Sequence, residues 1–111
     1  MKTKQFKEFT EKLNELPIVD LDNHYNYVQD CYKGTFELTI DNVTLYFDWS
    51  TYSDNTKLSL GSFYFNNDDT DEDINITDKQ YSELLNIVPK LFDLENEEYE
   101  APEKHAFNLG E

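Results

Sequence analysis

Hydrophobic positions along this chain change their period twice. Phe6, Phe9, Leu13 and Leu16 recur at helical spacing with Lys and Glu between them, which predicts an amphipathic helix over residues 3 to 16 that Pro17 stops. Leu21, Tyr25, Val28 and Tyr32 keep that spacing, with Asp22 placed to cap a start and Gly34 an end. A short helix is expected there, although three tyrosines crowd it and leave a non-helical path through residues 18 to 33 open.

From Thr35 the period falls to two. Phe36, Leu38 and Ile40 alternate with Glu37 and Thr39, and Val43, Leu45, Phe47 and Trp49 alternate with Thr44, Tyr46 and Asp48. Asp41-Asn42 between the runs is a two-residue hairpin turn, which predicts the pairs Ile40/Val43, Leu38/Leu45 and Phe36/Phe47 on one buried face. A polar loop through Tyr52 to Thr56 leads to a third strand. There Leu58 and Leu60 point inward, but Phe63 and Phe65 have slipped phase by one, and Gly61-Ser62 sits at the slip as a bulge would.

After an acidic loop the helical period returns. Thr77 and Gln80 have the spacing of a capping box, and Tyr81, Leu84, Leu85, Val88, Leu91 and Phe92 follow on one stripe that Pro89 kinks or divides. From Glu95 the chain is acidic with little to bury. The expected architecture is α+β: a three-stranded antiparallel meander packed by N-terminal and C-terminal helices. Residues 1 to 94 form its single domain, and residues 95 to 111 form a mobile acidic tail.

Charge changes the picture more than length does. The 111 residues carry nine lysines, no arginine and 24 acids, a formal charge of −15. Residues 1 to 19 contribute +1 and the other 92 contribute −16, so the acidity belongs to the body of the fold. Such a surface repels nucleic acid and anionic membranes and is attracted to a basic groove. A hydrophobic fraction of 38% with 15% aromatics supports a core, unlike a disordered acidic segment. The lone Cys31 makes no internal disulfide, and MKTKQFKEF has no apolar run of a signal peptide or membrane span. A cytoplasmic location is expected.

Candidate chemistry is thin. The run Asn67 to Asn75 can be set in EF-hand register with Asn67, Asp69 and Asp71 leading. Glu72 then stands where a glycine is needed, and Asp78 where a longer glutamate is. A solvated loop is the simpler reading. Cys31 with His24 and Asp30 is the one nucleophile-and-base combination available, and His105 is the only other imidazole. Neither carries a catalytic motif, so the chain is read as a binding protein rather than an enzyme, with no cofactor and no metal.

The surface carries more information. Glu37, Tyr46, Asp48 and Tyr64 are expected on the sheet face away from the core, with Asp68, Asp69, Asp71, Glu72 and Asp73 in the adjoining loop. Carboxylates stand in for phosphates against Lys and Arg, and aromatic rings stand in for bases. In size, acidity and composition the chain resembles the phage-encoded DNA-mimic inhibitors, a group that includes anti-restriction proteins, uracil-DNA glycosylase inhibitors and anti-CRISPR proteins. That resemblance implies occlusion of a basic DNA or RNA channel in the cytoplasm of an infected bacterial host. The implied partner is a nuclease or CRISPR effector, with no direct contact to nucleic acid or membrane. An immunity protein or antitoxin that neutralises a basic nuclease toxin has the same surface physics and is the alternative.

Overall fold

A computed structural model describes residues 1–51, 57–93 and 98–101. Helix α1 (Thr3–Glu15) buries Phe6, Phe9 and Leu13 on one face. It ends where Leu16 turns to extended backbone, as a residue before proline is driven to do. Phe9 meets the Phe65 ring edge-on at 5.2 Å, and Phe6 lies 6.4 Å from the same ring. Truncating Phe65 to alanine would remove the partner of both and cost about 3–5 kcal/mol.

Strands β2 (Cys31–Ile40) and β3 (Val43–Thr51) form the central hairpin, and Ile40/Val43, Leu38/Leu45 and Phe36/Phe47 pair in the expected register. Asp41 and Asn42 have φ of 50° and 65°. That is the left-handed pair a two-residue turn needs to match the strand twist. The third strand is broken in two, β4 (Lys57–Leu60) and β5 (Tyr64–Asn67), and both pair with β3. Trp49 faces Leu60 while Tyr46 faces Tyr64, so Gly61–Phe63 oppose only Phe47 and Asp48. The extra residue is the expected bulge, and it returns Leu58, Leu60, Phe63 and Phe65 to one buried face. Gly61 donates its N–H to the Asp48 carbonyl at 2.7 Å, and a Cβ there would sit 3.0 Å from that same oxygen.

Residues 18 to 33 do not form the expected short helix. A 3-10 turn over Leu21–His24 leads into β1 (Tyr25–Asn26), which pairs with the start of β2. Helical spacing misled because the hairpin sets Tyr25 directly opposite Tyr32, a meeting that two helical turns would also produce. Asn26 makes the reversal possible. Its side-chain oxygen accepts from the N–H groups of Val28 and Gln29, and Asp30 takes a φ of 53°.

Beyond β5 the chain forms β6 (Glu72–Ile74), antiparallel to it, and then helix α2 (Asp78–Ile87). Thr77 and Gln80 close the capping box as predicted, and the buried Gln80 also donates to the Met1 carbonyl at 2.8 Å. Pro89 converts the rest of the stripe into a 3-10 helix, Val88–Leu91, which buries Val88 and Leu91 and presents Phe92 to Trp49 at 4.9 Å. The chain then returns as β7 (Glu98–Glu100), parallel to β4, where a structureless tail was expected. The pairing is anchored by Lys57 and Glu100 at 2.9 Å.

The fold is thus α+β, and the expected meander lies within a mixed sheet of seven strands among the described residues. Tyr52 to Thr56, residues 94–97 and residues 102–111 lie outside the described residues, and with them most of the expected tail and His105. Among the described residues no helix is long and apolar enough to cross a membrane. The buried side chains of α1, α2 and the 3-10 segments form one core with Val43, Leu45, Phe47 and Trp49 of β3. Alternate positions of the sheet consequently point to the other side, a face left open among the described residues.

Candidate partner-binding face

Strand register fixes which side chains share the open face. Glu37, Tyr46 and Tyr64 form one row across β2, β3 and β5. Thr39, Thr44, Asn66 and Asp73 form the next row, toward the hairpin turns. On the other side of the tyrosines lies Thr35 beside Asp48, its hydroxyl donating to the carboxylate at 2.7 Å, and beyond them Lys33, Ser50, Ser59 and Glu100. Four of the expected residues, Glu37, Tyr46, Asp48 and Tyr64, are therefore neighbours. The two rings stack with centroids 5.2 Å apart and planes 19° from parallel.

The acidic loop is a hairpin turn. Asn67 accepts from the N–H groups of Asp69 and Thr70, and Asp71 adopts a φ of 56° and donates its own N–H to the Asn67 carbonyl at 2.7 Å. Asn67, the leading residue of the calcium register, thus gives its side-chain oxygen to the turn. Among the described residues no group of three or more His, Cys, Asp or Glu is arranged to hold a metal ion. Asp68 ties this turn to the neighbouring one: its N–H reaches the Asn42 carbonyl at 2.8 Å, and its carboxylate accepts from the Thr44 hydroxyl at 3.0 and 3.1 Å.

Strand alternation sets Asp73 on the open face and Glu72 on the helix side of the sheet end, so Glu72 separates from the group it was expected to join. Asp69 and Asp71 are exposed in the turn itself. Thr44, Asn66 and Glu100 complete the face without having been singled out from sequence. The alternation that exposes Tyr46 also exposes Thr44, whereas Glu100 carries no local signal because its strand exists only by pairing with β4.

Around the tyrosine stack the face is acidic, with Lys33 at its far end. Glu37, Asp48, Asp68, Asp69, Asp71 and Asp73 are exposed. Among the described residues no lysine approaches any of them within ion-pair distance; Lys57 pairs with Glu100 and Lys7 with Glu11. The Tyr46 hydroxyl registers this field. Burial raises its pKa above the ordinary tyrosine value, and the charges of Asp73, Tyr64, Asp71 and Asp48 push it further.

The thiol-and-imidazole combination does not assemble. The His24 ring packs against Trp49 at 5.1 Å on the helix side, whereas Cys31 alternates with the inward Tyr32 and lies on the opposite face. Asp30 accepts instead from the Tyr25 hydroxyl. No family model matches the chain, and no curated protein or solved structure matches it.

Proposed function

We propose that this protein inhibits a nucleic-acid-binding enzyme by filling its basic channel with the open sheet face, acting as a one-to-one mimic of DNA or RNA. A CRISPR effector nuclease is the target class proposed. Asp48, Asp68, Asp69, Asp71 and Asp73 take the places of phosphates, and the Tyr46–Tyr64 stack supplies aromatic surface where bases would lie. The observation that carries the reading is the set of exposed carboxylates around two stacked tyrosines, with no lysine paired to them among the described residues. Asp48 and Asp68 each accept from a threonine hydroxyl, which leaves their charge unneutralised. Exposed carboxylates with no paired lysine among the described residues keep that charge for an external cation and set the rate of encounter.

The test is capture from a bacterial host on the immobilised protein, elution by rising salt, and assay of the eluted enzyme with and without inhibitor. A nuclease released at intermediate salt and blocked at one-to-one stoichiometry supports the reading. Changing Asp68, Asp69, Asp71 and Asp73 together to lysine should slow association about tenfold or more, an effect larger than the local loosening where Asp68 loses the Thr44 hydroxyl and Asp71 its tolerance of left-handed backbone. Unaltered inhibition by that variant would remove the acidic turn from the interface.

A further inference from the structure

The edge of β2 is open along most of its length among the described residues. Among the described residues, β1 pairs only with Cys31 and Tyr32, and no strand lies beside Lys33 to Ile40 on the side away from β3. The two-residue turn at Asp41-Asn42 makes Ile40 and Val43 a hydrogen-bonded pair, so Ile40, Leu38, Phe36 and Gly34 direct their backbone groups to β3. The N–H and C=O groups of Thr39, Glu37, Thr35 and Lys33 then point away from the sheet. Cys31 follows the same alternation, and its outward groups are the ones β1 takes.

Only the charges of Lys33 and Glu37 blunt this edge locally. Thr35 to Ile40 contains no proline and no bulge, and its threonines, phenylalanine and isoleucine favour extended backbone. On the helix side Phe36, Leu38 and Ile40 are only half-buried, whereas their partners Phe47, Leu45 and Val43 are fully buried. At the far end, the β1–β2 hairpin holds Tyr27 and Val28 almost wholly exposed, 88% and 95%. A row of partly wet apolar side chains beside a free backbone ladder is the arrangement that strand addition uses.

We propose that the Lys33–Ile40 edge of β2 receives an extended, basic segment of the partner as an added antiparallel strand. The segment's alternate apolar residues would lie beside Phe36, Leu38 and Ile40, and its Lys or Arg residues beside Glu37. The inference rests on the preceding reading for the sign of the partner's charge. A second copy of this chain fits poorly, because each copy carries −15. In addition, the longest self-pairing that clears β1 sets Glu37 directly opposite Glu37 of the other copy. The charge that keeps the edge from pairing with itself favours a cationic strand.

Amide hydrogen exchange on the full chain tests this, with a capped synthetic peptide alternating lysine and valine as the probe. Without peptide, the amides of Thr35, Glu37 and Thr39 should exchange rapidly while those of Phe36 and Leu38 are protected. Adding the peptide should slow the first three at least tenfold, and a glutamate–valine peptide should not. Slow exchange of those three amides in the chain alone would mean the edge is already covered, and unchanged exchange with the lysine peptide would mean it accepts no strand; either overturns the proposal. If the edge fails but the four-lysine variant loses inhibition, the mimic reading stands alone. If the edge is protected while that variant inhibits normally, only strand addition survives.

Discussion

Tyr46 and Tyr64 lie ring against ring across β3 and β5, and the Tyr46 hydroxyl is held neutral beyond its ordinary range by burial and by Asp73, Tyr64, Asp71 and Asp48. Replacing Asp73 with asparagine removes the largest of these charges without shortening the side chain. Spectrophotometric titration should then find Tyr46 ionising at lower pH than in the unaltered protein. The sign follows from linkage. A raised tyrosine pKa contributes stability fully present below the ordinary value, about 10, and lost as pH climbs through the raised one. An unshifted titration in the variant would show that the Asp73 charge does not reach the ring.

Tyr25 should be the later-titrating tyrosine. Its hydrogen bond to Asp30, then burial and the charges of Asp30, Tyr32 and Tyr27, push its pKa up to about 12. Asp30→Asn keeps a residue that tolerates the left-handed backbone there and removes the charge. The variant's Tyr25 should ionise closer to the ordinary value of about 10, read by NMR of the ring protons. The hairpin tip of the unaltered protein should keep its structure until pH passes through the higher value.

Moderate salt should raise the melting temperature. Glu37, Asp48, Asp68, Asp69, Asp71 and Asp73 on and beside the open face have no lysine within ion-pair distance among the described residues, so their mutual repulsion is relieved by screening. Thermal unfolding followed by circular dichroism at increasing sodium chloride checks this. A flat or falling response would mean that the charges do not strain the fold.

Thr51 is buried at the end of β3, and among the described residues its hydroxyl has no hydrogen-bond partner. Thr51→Val keeps the shape and removes the stranded oxygen, which should raise unfolding free energy by about 1 kcal/mol. Denaturant titration measures the change, and a loss of stability would reveal a partner for the hydroxyl.

Asn26 and Asn67 perform the same task in two hairpins, each accepting from the N–H groups two and three residues onward while an aspartate four residues along turns left-handed. Alanine at either position should cost about 1 kcal/mol. The two losses should add, because the hairpins share no partner.

That recurring Asn-x-x-x-Asp pattern is present in the sequence at both places, masked once by an apparent helical period and once by the acidity of the loop. The tyrosine row, by contrast, was legible in advance. An alternating run with one apolar face exposes its other residues, so Glu37, Tyr46, Asp48 and Tyr64 had to share a side once the hairpin turn was identified. The side that Glu72 takes has no signal in a run of acids, which has no alternation of its own; the pairing of β6 with β5 decides which of its residues face outward.

Local physics determined α1 and its stop at Pro17, the capping box of α2, the Asp41-Asn42 turn, the register of β2 on β3, and the bulge that rescues the phase of Phe63 and Phe65. Each depends on contacts or periodicities spanning only a few residues. Only the tertiary structure decided that Tyr25–Asn26 would be a strand, that Glu98–Glu100 would return beside β4, and that Lys33–Ile40 would keep an open edge. These outcomes depend on which distant segments satisfy a strand's backbone hydrogen bonds, and a side-chain pattern carries no record of its neighbour across the sheet.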